Sequence, residues 1–89
     1  MREFTRQEVV QSVADAIEAL GFAWEPSDGE HLHLFEDIGL DSLDGFDMVV
    51  LLETAFESPA DSDTFARTFT IRSVIESACE VLKKEGRFK

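Results

Sequence analysis

One hydroxyl group in this chain is surrounded by residues that suit chemistry performed on it by another protein. Ser42 lies within the octet Asp37-Ile38-Gly39-Leu40-Asp41-Ser42-Leu43-Asp44, which leads directly into an apolar segment with helical spacing. No G-x-S-x-G elbow surrounds this serine, and neither His31 nor His33 has an evident orienting acid, so the sequence does not favour a catalytic nucleophile. We therefore predict no catalytic residue, and we expect Ser42 to be modified covalently by a separate enzyme.

The charges beside Ser42 predict where a phosphate on that residue would point. A phosphodiester at a helix start is favoured by the helix dipole. Asp41 and Asp44 would repel it at close range, so we expect it to project outward as a tethered, mobile group. The alternative is structural, because serine is a preferred N-cap residue and capping alone would explain its position.

The elements that must position Ser42 are all helical, and we predict a small all-α four-helix bundle with three longer helices and one short one. The first helix is expected over residues 5–20, with Thr5 and Glu8 as a capping box and Gly21 as the C-cap. The second is expected from about Ser42 to Phe56, capped by Asp41 or Ser42.

Two further helices complete the predicted bundle. A short helix is plausible over residues 61–69. The last begins after Thr70, carries one apolar face and is expected to fray at residues 83–86; that face comprises Ile71, Val74, Ile75, Ala78, Cys79 and Leu82.

A long connection over residues 22–40 separates the first two helices. A loop of this length in a compact domain needs a structural reason. Its apolar residues supply one, since they are expected to pin the loop across the bundle; they are Phe22, Trp24, Leu32, Leu34, Phe35, Ile38 and Leu40.

The second helix carries two apolar stripes. The first is assigned to the core and comprises Met48, Val49, Leu52 and Phe56. The second comprises Leu43, Phe46 and Val50, lies alongside Asp44 and Asp47, and is expected to be exposed and to bind partner proteins. The alternative is that both stripes are buried because the helix is central to the bundle.

With these residues identified, the chain resembles the acyl carrier proteins, most strongly from Phe35 to Phe56. The resemblance implies that Ser42, next to Asp41 and Leu43, accepts 4'-phosphopantetheine from coenzyme A in a Mg-dependent reaction run by a phosphopantetheinyl transferase. It implies that the arm then holds acyl groups as thioesters for acyl-processing enzymes of fatty acid, specialised lipid or polyketide synthesis. The positions that match those meeting basic patches on such enzymes are Leu43, Asp44, Asp47, Val50 and Glu53; Phe46 joins them through the exposed stripe.

Some residues depart from the family pattern, and alternatives stay open. Gly45 lies in the first turn of the second helix, where glycine lowers helix stability. Thr54 and Ala55 stand where fatty-acid carriers often have acids, and together with the Trp24-Glu25-Pro26 loop and the basic tail this argues for a dedicated carrier of a specialised pathway. An aminoacyl or peptidyl carrier is one alternative, although Asp41 argues against it. An acidic protein-interaction module that is never modified is the other.

Charge and composition exclude several classes of function. The 89-residue chain has a formal net charge of -11, and residues 7–66 hold 15 Asp or Glu and no Lys or Arg. Such a field opposes binding to nucleic acid or anionic membranes and attracts basic partners.

With a single Cys79 and no apolar run long enough for a membrane span, we expect one domain over residues 1–89, monomeric and cytoplasmic. His31 and His33 lack further ligand motifs, so no metal site is predicted.

Overall fold

Three long helices pack around one apolar core in the protein, seen in a computed structural model that describes residues 3–57 and 70–89. They are α1 (Arg6–Ala19), α2 (Ser42–Phe56) and α3 (Ile71–Lys84). Within the described ranges there are no strands, only two isolated bridges that join Phe4 to Phe88 and His33 to Thr70. The predicted all-α class is confirmed, whereas the short helix predicted over residues 61–69 lies outside the described residues.

Both ends of α1 are closed by the groups that the sequence predicted. The Glu8 amide donates to Thr5 Oγ1 at 3.2 Å, and the Thr5 amide donates to Glu8 Oε1 at 3.2 Å, which completes the capping box. At the other end Gly21 has a φ of +90°, so the Phe22 amide can reach the Ile17 carbonyl at 3.2 Å. The bounds of α1 therefore follow from local signals.

The core is built around α1, which packs against both α2 and α3. Each residue predicted for the apolar face of α3 is buried. On α1, Val10, Val13, Ala14 and Ile17 are buried as well, and so are Val9 and Ala16, because this helix contacts neighbours on two sides.

The predicted fraying at the end of α3 was wrong. Gly86 adopts a φ of +70° and lets the Arg87 amide donate to the Leu82 carbonyl at 2.8 Å, which closes the helix. The chain then returns to the N-terminal segment, where the Phe4 amide donates to the Arg87 carbonyl at 2.7 Å and the Lys89 amide donates to the Phe4 carbonyl at 2.8 Å. Arg87 also holds the tail in place, since it is only 4% exposed. Its guanidinium lies over the Phe4 ring and pairs with Glu85.

The long loop is pinned to the core at several points, as predicted. Trp24, Leu34 and Leu40 are buried, and Phe22, Leu32 and Ile38 are partly buried against the same cluster. The Trp24 indole donates to the Gly29 carbonyl at 2.9 Å, so its buried N–H is satisfied.

A charged contact fixes the middle of the same loop. Glu30 accepts two hydrogen bonds from the Arg6 guanidinium, at 2.5 and 3.0 Å, and its backbone carbonyl accepts from the Arg72 amide at 2.8 Å. The loop is thereby joined to the starts of both α1 and α3. In the described ranges no helix combines the length and the hydropathy that a membrane crossing requires.

Candidate functional site

The segment that leads to Ser42 is held in a defined turn by its own side chains. The Asp37 carboxylate accepts the His33 amide at 2.6 Å, and His33 Nδ1 in turn accepts the amides of Phe35 and Glu36, each at 3.2 Å. These bonds close a single π-helical turn over Leu34–Ile38. The motif residue Asp37 thus has a structural role, and the His33 ring acts as a cap that the sequence did not reveal.

A glycine and a buried leucine then direct the chain into α2. Gly39 has a φ of +99°, a conformation in which a side chain would be strained. Leu40 is buried in the core and anchors the chain one residue before Asp41. The start of α2 is therefore fixed in place by the core immediately before the candidate serine.

Asp41, and not Ser42, caps α2. Asp41 Oδ1 accepts the Asp44 amide at 2.9 Å, and Asp44 Oδ2 accepts the Asp41 amide at 3.1 Å, which forms a reciprocal capping box. The prediction that Asp41 or Ser42 caps the helix is thereby resolved in favour of Asp41. Capping no longer explains why a serine stands at position 42.

Ser42 is the first residue of α2 and is exposed to solvent. Across residues 3–57 and 70–89, no hydrogen bond involves its hydroxyl group. The carboxylates of Asp41 and Asp44 occupy the space at the helix start and carry negative charge there, so a phosphate on Ser42 has no place on the helix end. Ser42 is therefore an exposed serine that does not cap the helix.

The two stripes of α2 separate as predicted. In the core stripe Met48, Leu52 and Phe56 are buried and Val49 is half-buried. The other stripe is open to solvent, with Leu43 74%, Phe46 70% and Val50 57% exposed. The alternative, in which both stripes are buried, is excluded for this helix. Ser42, Phe46 and Val50 are spaced at i, i+4 and i+8, so the apolar row starts at the hydroxyl itself.

The acids of this face have different environments. Asp47 is exposed, whereas Asp44 and Glu53 are half-buried, and the Asp44 carboxylate is engaged in the capping box. Asp47 is therefore the acid of α2 best placed to attract a basic partner without loss of helix stability.

Among the apolar loop residues expected to pin the loop, Phe35 is the one that does not pack against the core. Its side chain is 37% exposed, and its ring lies at 5.8 Å from the His33 ring. The ring edge reaches Gly45 of α2, where Phe35 Cε1 lies 4.0 Å from the position that a Cβ would occupy. The loop ring therefore lies beside the start of α2 at van der Waals distance, with room for a methyl group at position 45.

Three groups with shifted pKa values lie outside this region. The hydrogen bonds from Arg6 hold the pKa of Glu30 below its usual value, and the carboxylate in turn raises the pKa of Arg6. Cys79 is buried, which confirms its assignment to the core, and this burial raises the pKa of its thiol and so favours the neutral form. Among the described residues no three His, Cys, Asp or Glu side chains gather in a way that could hold a metal ion.

Comparison with known families identifies the kind of domain to which this site belongs. A family model described as a phosphopantetheine attachment site matches residues 7–78, which is well over half of the chain. The match includes the loop, the start of α2 and most of α3. No curated protein matches the chain.

Proposed function

The chain belongs to the phosphopantetheine attachment-site family, and from this premise we propose that Ser42 is the residue that carries the arm. Members of this family are carrier proteins with covalently attached 4'-phosphopantetheine. The observation that carries the assignment to Ser42 is its exposure at the first position of α2 while Asp41 performs the capping. The residues present therefore fit the group.

Each residue of the turn contributes to presenting the Ser42 hydroxyl. His33 and Asp37 close the turn before it, Leu40 anchors the chain, and Asp41 fixes the helix start. Ser42 Oγ supplies the nucleophile toward a coenzyme A phosphate. A P–O bond forms to Ser42, the pyrophosphate bond of coenzyme A breaks, and the nucleotide half leaves. The Mg²⁺ ion and the base belong to the transferase, so this chain needs no catalytic group of its own.

The attached arm supplies a thiol that forms thioesters with acyl groups. We assign the chain to acyl carriage in fatty acid, specialised lipid or polyketide synthesis, with Asp41 and Leu43 flanking the arm. Partner enzymes would contact the exposed row Leu43, Phe46 and Val50, steered by Asp47. Glu53 and Asp44 lie at the margin of this face and are half-buried. In this role the protein presents cargo and performs no catalysis.

The test of this proposal is modification in vitro. The protein is incubated with coenzyme A, Mg²⁺ and a broad-specificity phosphopantetheinyl transferase, and its intact mass is measured. We expect the gain of one phosphopantetheine in the wild type and in Ser27→Ala, a matched control because Ser27 is also an exposed serine. Ser42→Ala should gain nothing. An unmodified wild type would favour the acidic interaction module, and transfer to Ser42→Ala would place the arm elsewhere.

A further inference from the structure

The four large hydrophobic residues that are exposed within residues 3–57 and 70–89 all belong to the first nine residues of α2 or lie against that part of the helix. Three of them, Leu43, Phe46 and Val50, belong to the helix. The fourth, Phe35, comes from the loop and reaches the helix at Gly45, three residues beyond Ser42. A helix and a loop thus contribute to one apolar surface around the same hydroxyl.

We propose that Phe35 is a specificity-determining residue for the enzyme that modifies Ser42, and that this enzyme recognises the loop and α2 together. The proposal rests on the assignment of Ser42 as the attachment site. An enzyme that forms a bond to Ser42 Oγ must bring its own active site against this hydroxyl, so it must cover the residues next to it. Enzymes that act only on the far end of the arm are under no such constraint.

Contacts of its backbone and its ring hold Phe35 in place. The His33 ring accepts the Phe35 and Glu36 amides, which fixes the backbone, and the aromatic rings of His33 and Phe35 lie 5.8 Å apart. The ring edge lies beside the first turn of α2, with Phe35 Cε1 4.0 Å from the position that a Cβ of residue 45 would occupy. An aromatic side chain held in this way loses little conformational freedom when a partner covers it, which favours its use in recognition.

The charges around this apolar surface favour binding of an enzyme whose own apolar patch is bordered by basic residues. They argue against binding of a second copy of this chain. The acids Asp44, Asp47 and Glu53 border the apolar row, and no Lys or Arg occurs in residues 7–66. Two copies that joined through this surface would bring like charges together with no cation of the same region to pair with them. A transferase with cations around an apolar patch meets both features.

The experiment measures steady-state phosphopantetheinylation of Phe35→Ala, with Phe46→Ala as a reference variant from the helix. If the transferase buries the exposed part of the Phe35 ring, Phe35→Ala loses that apolar contact, and we expect kcat/KM to fall about tenfold. The fall should appear as a higher KM, because the chemistry at Ser42 is unchanged. Phe35→Leu keeps most of the apolar area and should stay within about threefold of the wild type. Phe88→Ala is the matched control, since Phe88 bridges to Phe4, which packs on Phe56 at the opposite end of α2.

The outcomes distinguish this inference from the assignment of Ser42. If the wild type is modified on Ser42 and Phe35→Ala reacts with an unchanged kcat/KM, the role of Phe35 is refuted and the attachment site stands. If Phe35→Ala and Phe88→Ala slow equally, or if the far-UV circular dichroism of Phe35→Ala shows lost helix, the effect is one of folding and the inference fails. A wild type that dimerises in light scattering and becomes monomeric in Phe35→Ala would assign the surface to self-association.

Discussion

Gly45 offers a quantitative test of how α2 is built, because a glycine in a helix costs stability that alanine does not. The helical backbone at Gly45 does not have a positive φ, unlike that of Gly21, Gly29, Gly39 and Gly86. The nearest atom to an added Cβ is Phe35 Cε1 at 4.0 Å, which is an ordinary van der Waals distance. Gly45→Ala should therefore gain helix stability without a clash.

The expected gain is about 0.5–1 kcal/mol in the free energy of unfolding. For a domain of this size that gain corresponds to a rise in Tm of about 2–8 °C. The assay is thermal unfolding followed by far-UV circular dichroism, with the wild type and the variant at equal concentration.

Gly21→Ala is the matched control, because it makes the same chemical change at a φ of +90° with no neighbouring atom within 4 Å. Only backbone strain acts there, and we expect a loss of about 1–2 kcal/mol. A Gly45→Ala variant whose Tm is unchanged or lower than that of the wild type would refute the assignment of Gly45 to an unstrained helical turn in loose contact with Phe35.

Four further predictions concern the cap, the loop, the thiol and the steering charge. Asp41→Ala should lower the unfolding free energy by about 1 kcal/mol while Asp41→Asn keeps most of it, as measured by urea unfolding; equal values for both would contradict the capping box. Because the pKa of Glu30 is lowered in the folded state, its contribution is present at neutral pH and is lost as the pH falls through that lowered value. Glu30→Gln should thus be less stable than the wild type by about 0.2–1 kcal/mol at neutral pH, with the difference vanishing in acid; a constant difference would argue against the ion pair. Cys79 should react slowly with a thiol reagent in the native apo protein, and the holo protein should show one added fast thiol; fast reaction of the apo form would contradict its burial. Asp47→Lys should slow modification at low salt but not at high salt, whereas Asp15→Lys on α1 should not; a salt-independent effect would remove the steering argument.

The sequence predicted the helices well because their signals are local. Thr5 with Glu8, Asp41 before α2 and Thr70 before α3 are each recognisable within four residues of the helix start. The exposure of the row Leu43, Phe46 and Val50 also followed from spacing, since α2 has more apolar circumference than one core contact can cover.

The predictions that failed depended on contacts between distant parts of the chain. Phe35 was expected to help pin the loop across the bundle because it is apolar, but its position beside Gly45 is visible only once loop and helix are placed together. The end of α3 was expected to fray, but the tail that follows it pairs with Phe4, which lies more than 80 positions away in sequence. The Glu30–Arg6 pair was not predicted at all, because it joins residues separated by 24 positions and no local pattern reveals it.

The candidate site divides in the same way. Ser42, Asp41 and the apolar row were all predicted from the motif and its periodicity. The roles of His33 and Asp37 were not, because two hydrogen bonds to an imidazole nitrogen depend on the path of a single irregular turn. The structure also changed the interpretation of Asp44. Its carboxylate was expected to contact a partner protein, but it accepts the Asp41 amide in the helix cap.

Peptide mapping by tandem mass spectrometry of the protein purified from its native cells tests the central claim most directly. We predict a phosphopantetheine, with or without an acyl thioester, on the peptide that contains Ser42 and with fragment ions that assign it to that residue. Detection of that peptide solely in unmodified form, or assignment of the arm to another residue, would contradict the claim.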